Sequence, residues 1–143
     1  MKIDVITLHR VRNYGSSLQT LATQMFLNEL GCDTEIIDYY PERYSSKGLL
    51  KRLKSKSNKL RNNLILLLMA KIAIAPSYYK KHLIFDEFLR KYLNLTDITY
   101  YSEQDLISDL PQADAYCTGS DQVWNSHWNE GIDRPFYLSF LPD

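Results

Sequence analysis

The sequence predicts an α/β domain of the Rossmann-like type, in which helices flank a parallel β-sheet. Residues 3–8 form a short run rich in β-branched side chains, which is typical of a buried parallel strand. A helical pattern follows, and residues 34–40 form a second apolar strand that Pro41 closes. This strand–helix–strand order is a βαβ unit with a right-handed crossover. The 143 residues suit one domain with a real core.

The first helix is predicted to begin at Ser16. Ser16 and Gln19 have the spacing of a capping box, and Gly31 is placed to end the helix at its C′ position. Its apolar residues recur at helical spacing and predict one stripe, formed by Leu18, Leu21, Ala22, Met25, Phe26 and Leu30.

Residues 45–93 interrupt the simple alternation and predict a helical, basic insertion. A basic amphipathic helix would lead into a short apolar helix over residues 64–75. That apolar segment is too short to span a membrane, and Lys71 interrupts it. After Pro76 a further helix is predicted, and its apolar face would consist of Leu83, Ile84, Phe88 and Tyr92.

The remaining elements return to an α/β order. Residues 96–102 form a short extended segment, and Ser102 with Asp105 has capping-box-like spacing at the start of a short helix that Pro111 ends. Residues 113–120 predict another strand. The remainder is rich in aromatic residues and loops.

The charge is uneven along the chain, although its sum is zero. Residues 42–92 carry thirteen Lys and Arg against three acidic residues, whereas residues 97–143 carry nine acidic residues and one Arg. The basic segment 47–61 lacks the interleaved aromatic residues of single-strand binders, so no nucleic acid partner is expected. It fits a solvated amphipathic helix or one lying on a membrane surface.

The two cysteines, Cys32 and Cys117, form no metal or redox spacing and are expected to be buried free thiols. Neither they nor the three histidines suggest a metal site. The N-terminal segment does not resemble a signal peptide, because its apolar run is short and Asp4 breaks it. A cytoplasmic location is therefore expected.

Two loops carry the candidate chemistry, and both follow predicted strands. The first, "HRVRNYGSS", opens the first helix. Gly15 lets the backbone approach a ligand, and the N–H groups of residues 16–18 lie at a helix start, which suits a phosphate or carboxylate. Parallel strands share direction, so we expect both loops at the same edge of the sheet.

The second loop, "GSDQVWN", offers a carboxylate, two amides and a large aromatic ring. Asp121 is suited to orient or deprotonate a hydroxyl, Gln122 and Asn125 to bind sugar hydroxyls, and Trp124 to stack on a sugar. The structural alternative is that Asp121 caps a helix, Trp124 fills the core and the amides tie the loop together. His9 and His127 flank the two loops, whereas His82 is expected at the surface.

These motifs resemble those of the polysaccharide pyruvyl transferase family. The pattern His-x-x-x-Asn-Tyr-Gly-x-x-Leu-Gln is met by His9, Asn13, Tyr14, Gly15, Leu18 and Gln19, and the segment Gly-Ser-Asp-Gln-Val-Trp-Asn by residues 119–125. Ser16 stands where family members often carry Ala, a departure that concerns helix packing.

The resemblance implies an enzyme that transfers the enolpyruvyl unit of phosphoenolpyruvate to two hydroxyls of a sugar. The product is a pyruvate ketal on a cell-surface polysaccharide or its lipid-linked precursor, and phosphoenolpyruvate is a co-substrate rather than a cofactor. The family architecture is similar to GT-B, with two Rossmann-like domains facing a cleft. Residues 1–143 would be the N-terminal domain, without the C-terminal donor-binding domain, and inactive alone.

The candidate site is then one wall of that cleft, on the sugar-acceptor side. Asp121 is the catalytic candidate. The substrate-binding candidates are His9, Asn13, Tyr14, Gly15, Gln19, Gly119, Ser120, Gln122, Trp124 and Asn125. Two other interpretations remain open: half of a GT-B-like glycosyltransferase, and a non-catalytic binding module. Contact of segment 47–61 with the inner face of the membrane is a further expectation.

Overall fold

The computed structural model describes residues 1–45, 48, 62–119, 122–127, 129 and 131–142. Its sheet has four parallel strands in the order β3–β2–β1–β4. The strands are β1 (Lys2–Ile6), β2 (Asp33–Tyr39), β3 (Leu95–Tyr100) and β4 (Ala115–Thr118). Helices flank this sheet, so the predicted Rossmann-like α/β class is confirmed. The extended segment near residue 96 proves to be a full strand, β3, which forms one edge of the sheet beside β2.

Three α-helices are described: α1 (Tyr14–Glu29), α2 (Leu64–Tyr92) and α3 (Glu103–Ser108). Short 3₁₀ helices cover Glu42–Tyr44 and Arg134–Tyr137. Ser102 caps α3 in a capping box with Asp105, as predicted. Gly31 ends α1 with a positive φ of 82°, and the N–H groups of Gly31 and Cys32 bond to Asn28 and Leu27.

The core has two parts, one on each face of the sheet. On one face Ile3, Val5 and Ile36 pack against Leu27 of α1. On the other face, residues of the first three strands and of the loop after β1 pack with α3, the loop after β4 and the C-terminal segment. This larger cluster consists of Ile6, Leu8, Ile37, Tyr39, Tyr100, Leu106, Val123, Phe136 and Phe140. The loop after β4 is thus anchored in the core.

The predicted start and cap of α1 are wrong, and most of its predicted apolar stripe lies away from the core. The helix begins at Tyr14 with Asn13 as its N-cap, and it buries Ser17, Thr20 and Gln24. The Gln24 side chain bonds to the backbone of Tyr92 and Asn94, which ties α1 to the junction of α2 and β3. These hydrogen bonds allow the polar side of α1 to pack inward, so most of its apolar stripe faces solvent. The exposed residues of the stripe are Leu18, Ala22, Met25, Phe26 and Leu30.

The predicted break at Pro76 is also wrong, because α2 runs through it. Proline removes one backbone hydrogen bond within a helix. Here both Pro76 and Ile72, four residues earlier, are exposed, so water can solvate the freed carbonyl. The helix faces the core with Leu67, Phe85 and Leu89 rather than with the predicted residues, of which Leu83, Ile84 and Tyr92 are exposed.

The predicted basic helix over residues 47–61 lies outside the described residues, apart from Gly48. None of the described helices combines the length and apolar character that crossing a bilayer would require. Cys32 and Cys117 are free thiols, as predicted, but they are half-buried rather than buried.

Asp4 is a buried carboxylate in the middle of β1. Its side chain is inaccessible to solvent, and neither carboxylate oxygen has a hydrogen-bond partner among the described residues. The nearest cation is Lys2, whose Nζ lies 3.8 Å from Oδ1. Burial raises the pKa of Asp4 to about 6.

Asp4→Asn is expected to change how stability depends on pH. A raised folded-state pKa means that protonation favours the folded state. The Asp4 contribution is therefore fully present below the ordinary pKa of 3.8 and is lost as pH rises through about 6. Between these values the wild type should lose at most about 3 kcal/mol relative to Asp4→Asn. Urea unfolding at several pH values measures this difference, with Glu29→Gln as an exposed control. A stability difference between wild type and Asp4→Asn that does not change with pH would contradict the prediction.

Candidate functional site

The two candidate loops leave neighbouring strands at the same edge of the sheet. β1 and β4 are paired in parallel, with Ile6 opposite Thr118. The Gly119 N–H continues this ladder by donating to the Ile6 carbonyl at 3.0 Å. A Cβ on Gly119 would lie 3.3 Å from a Val5 methyl and 3.5 Å from the Thr7 hydroxyl. The prediction that the loops share an edge is confirmed, and Gly119 allows their close approach.

The first loop ends in an exposed cap at the start of α1. Asn13 accepts a hydrogen bond from the Gly15 N–H at 2.7 Å, and its carbonyl accepts one from the Ser17 N–H. Asn13, Tyr14 and Gly15 are all exposed. The Tyr14 ring packs 5.1 Å from Phe85 of α2. The loop therefore presents an amide, a phenol and a glycine backbone to a ligand at a helix N-terminus.

Gln19 lies one turn further along α1. It is half-buried, and its amide donates to the Thr23 hydroxyl at 3.1 Å. Its carbonyl oxygen is buried without a hydrogen-bond partner among the described residues.

In the second loop, Val123 is buried and Trp124 is exposed. Val123 joins the core, whereas 61% of Trp124 is accessible. The indole N–H of Trp124 donates to the Phe136 carbonyl at 3.0 Å, and the Tyr137 hydroxyl donates to the Trp124 carbonyl. The alternative in which Trp124 fills the core is thus wrong. The indole N–H is bonded and the Tyr137 ring lies 6.2 Å from the Trp124 ring, while most of the residue stays accessible. The remaining ring surface is suited to stacking on a sugar.

The amides of this loop bond within the loop. The Asn125 amide donates to the Gln122 side-chain oxygen at 2.8 Å, and the Asn125 oxygen accepts from the His127 N–H. Buried Asn129 donates to the Val123 carbonyl at 2.7 Å. The structural role considered for these amides is therefore present. Ser120 and Asp121 lie outside the described residues.

A second cluster, centred on Asp38 of β2, lies at the carboxyl ends of β1, β2 and β3. Asp38 is 3% exposed and accepts hydrogen bonds from His9, Arg10 and Thr99. The distances are 3.0 Å from His9 Nε2, 2.6 Å from Arg10 Nε and 2.6 Å from the Thr99 hydroxyl. A second nitrogen of Arg10 also pairs with the carboxylate. Asp38 thereby connects the loop after β1 to β2 and β3.

The electrostatics of this cluster favour an ionised Asp38. Burial alone would raise its pKa, but the hydrogen bonds from His9, Arg10 and Thr99 hold the pKa of Asp38 well below its ordinary value. His9 also donates from Nδ1 to the Thr7 carbonyl at 3.2 Å. Both ring nitrogens of His9 therefore face oxygen atoms, which fixes the orientation of the ring.

Arg12 lies beside this cluster and contacts α2. It donates to the Tyr40 hydroxyl at 3.2 Å and to Nε2 of His82, and its guanidinium lies 4.8 Å from the centre of the Tyr78 ring. His82 in turn donates from Nδ1 to Asp86 at 2.8 Å. His82 is thus half-buried in a network rather than on the free surface. Among the described residues no carboxylate pairs with Arg12, so its charge is suited to an anionic ligand.

The sequence indicates this second cluster only weakly. Arg10, Arg12, Asp38 and Thr99 were not among the predicted site residues. The available signal is an acidic residue in an otherwise buried strand, "EIIDYY", because a buried charge requires partners. His9, which was predicted to bind substrate, is buried within the cluster. Its ring bonds to Asp38 rather than facing solvent.

The comparisons with known proteins identify a family. A model of the family described as polysaccharide pyruvyl transferase matches residues 13–143, a range that includes α1, the whole sheet except β1, and the loop after β4. A search of curated proteins and a search of solved structures each returned no significant match.

Proposed function

Since this chain belongs to the polysaccharide pyruvyl transferase family, a family of transferases, we propose that it takes part in pyruvyl transfer to a sugar. The donor is phosphoenolpyruvate, and the acceptor is a sugar of a cell-surface polysaccharide or of its lipid-linked precursor. The described domain supplies the acceptor side of the cleft, and the donor is bound by a second domain in a GT-B-like arrangement.

The proposed reaction forms a cyclic ketal. One sugar hydroxyl oxygen bonds to C2 of phosphoenolpyruvate while C3 gains a proton and becomes a methyl group. A second hydroxyl oxygen then bonds to C2, and the C2–O bond to phosphate breaks. One hydroxyl proton balances the new methyl group and the other leaves with phosphate. The protein must therefore place two hydroxyls and accept a proton from at least one of them.

The observation that carries the acceptor role is the anchored, exposed ring of Trp124. The large apolar surface of an exposed indole ring is suited to stacking on the apolar face of a sugar. The Trp124 indole N–H donates to the Phe136 carbonyl, and the Tyr137 ring lies 6.2 Å from the Trp124 ring, so both contacts orient the indole. Asn13 and Tyr14 are exposed at the same edge of the sheet. A stacking surface beside polar groups is the usual composition of a sugar site.

The cluster around Asp38 supports this site by positioning the first loop. His9 and Arg10 belong to that loop, and both are bonded to Asp38. This fixes the chain three residues before Asn13. In this proposal His9 and Asp38 are positioning residues, and Arg12 is suited to a phosphate or carboxylate of either substrate.

Trp124→Ala is expected to weaken acceptor binding in the full-length enzyme. Loss of an aromatic stacking surface costs about 1 kcal/mol, so the KM for the acceptor should rise by roughly fivefold to tenfold while the KM for phosphoenolpyruvate stays unchanged. Trp124→Phe should restore much of the affinity. Ile107→Ala on α3, where Ile107 is also exposed, is the matched control. An unchanged acceptor KM in Trp124→Ala would contradict the acceptor role.

A further inference from the structure

The first half of α2 carries an apolar stripe that faces solvent. At 100° per residue, eight side chains fall within an arc of roughly 140° along about 25 Å of helix. These residues, here called the α2 stripe, are Leu64, Ile65, Leu68, Met69, Ile72, Ala75, Pro76 and Tyr79. All eight are exposed, with Leu64 at 81% and Ile65 at 73%.

The α2 stripe does not belong to the core of the domain. The inward face of this half of the helix is formed by buried Leu67, together with half-buried Ala70 and Ile74. At 100° per residue these three positions lie on the side of the helix opposite the stripe. The helix therefore has a second apolar face, which is more than docking on its own domain requires.

The charges beside the α2 stripe are positive. Lys71 and Lys80, both exposed, lie just beyond the two borders of the arc. In the sequence, residues 43–85 contain eleven Lys and Arg and no Asp or Glu. An apolar stripe bordered by lysines is the pattern of a helix that lies in the interface of a membrane, because the lysine stems can extend along the stripe towards headgroups.

We propose that the α2 stripe docks the protein on an anionic membrane surface. The helix would lie parallel to the surface, with the stripe at the boundary of the acyl chains and Lys71 and Lys80 against lipid phosphates. A second copy of the chain fits this face less well, because it would oppose two acid-free, strongly basic segments. Nucleic acid fits less well because the arc contains no charged side chain and only one hydroxyl, that of Tyr79. This inference concerns lipid binding and does not rest on the proposed function.

The α1 helix provides an internal comparison. Its solvent-facing apolar residues include Met25 and Phe26, and Phe26 is 61% exposed, close to the 62% of Met69 on the α2 stripe. However, α1 contains no Lys or Arg. If apolar exposure alone were sufficient, both helices would bind lipid. We therefore expect lipid binding by α2 and not by α1.

The test is co-sedimentation of the full chain with vesicles. Vesicles of phosphatidylcholine mixed with phosphatidylglycerol should retain the wild type at low salt, and high salt should release a large fraction of it. Met69→Glu and Ile65→Glu should each lower the partition coefficient about tenfold or more, since each removes an inserted side chain and adds a repelled charge. Lys71→Gln should lower it about fivefold and reduce the salt dependence. Phe26→Glu should leave binding unchanged.

Several outcomes would overturn the proposal. These are no retention on anionic vesicles, equal retention on pure phosphatidylcholine, or equal losses in Phe26→Glu and Met69→Glu. Circular dichroism of each variant checks that the helix content is kept, and the substituted side chains are exposed, so folding should not change. A dimer in analytical ultracentrifugation that Met69→Glu dissociates, without vesicle binding by the wild type, would assign the stripe to a second copy instead.

Discussion

Asp38→Ala should cost about 3–5 kcal/mol of the free energy of unfolding, because it removes the shared partner of a buried cation and a buried histidine. Asp38 is 3% exposed, and Arg10, His9 and Thr99 all bond to it. Without the carboxylate, the guanidinium and the imidazole keep their desolvation penalty and lose its compensation. For a domain of this size the melting temperature should fall by roughly 10–20 °C. Urea unfolding followed by circular dichroism measures the loss.

Two further variants separate this effect from a general loss of charge. Asp97→Ala removes an exposed carboxylate from β3, and it should change stability by no more than about 0.5 kcal/mol. His9→Ala combined with Asp38→Ala should cost less than the sum of the single variants, because the two residues share one network. If the stability losses of the two single variants simply add up in the double variant, His9 and Asp38 are not energetically coupled.

The pH dependence of the Asp38 effect has a defined sign. A depressed folded-state pKa stabilises the protein above the ordinary pKa of 3.8, and this contribution is lost as pH falls through the lower folded-state value. The difference between wild type and Asp38→Ala should therefore be constant near neutral pH and shrink only in acid. The contribution of Asp4 to stability changes with pH in the opposite direction, because it decreases as the pH rises through about 6. The pH profiles of the two variants therefore distinguish Asp38 from Asp4.

The sheet could be predicted from the sequence because its signals are local. β-branched runs, the glycine at the end of α1 and the capping box at Ser102 each act within a few residues, and the structure contains all of them. The shared edge of the two loops followed from one property of parallel strands. The position of the Trp124 loop was therefore predictable, although the exposure of its ring was not.

The sequence did not predict which side of each helix packs against the core, because this depends on contacts with residues distant in sequence. The inward face of α1 is polar since Gln24 bonds to the backbone near residue 93, and no local pattern indicates that bond. The continuity of α2 through Pro76 depends on the solvent exposure of one turn. The Asp38 cluster gathers residues from the loop after β1, from β2 and from β3, and the only sequence feature that indicates it is Asp38 in an otherwise buried strand.

Asp121→Asn should lower turnover of the full-length enzyme about 100-fold or more while leaving phosphoenolpyruvate binding unchanged, if Asp121 is the base for the acceptor hydroxyl. Gly119 is bonded to β1, and Val123 is buried in the core, so both flanks of this position are held at the carboxyl edge of the sheet. Ketal formation needs a proton acceptor at that edge, and within the segment 119–125 only Asp121 carries a carboxylate.

The competing role for Asp121 is a helix or turn cap, and it predicts the reverse pattern. Removal of a capping carboxylate costs about 1 kcal/mol of stability and leaves the chemistry intact. Product formation, phosphate release and the melting temperature should therefore be measured together in Asp121→Asn and in Asp97→Asn, the exposed control. Loss of turnover at an unchanged melting temperature assigns Asp121 to the reaction. A lower melting temperature with near wild-type turnover leaves the loop as structure, and the acceptor base must then come from another element.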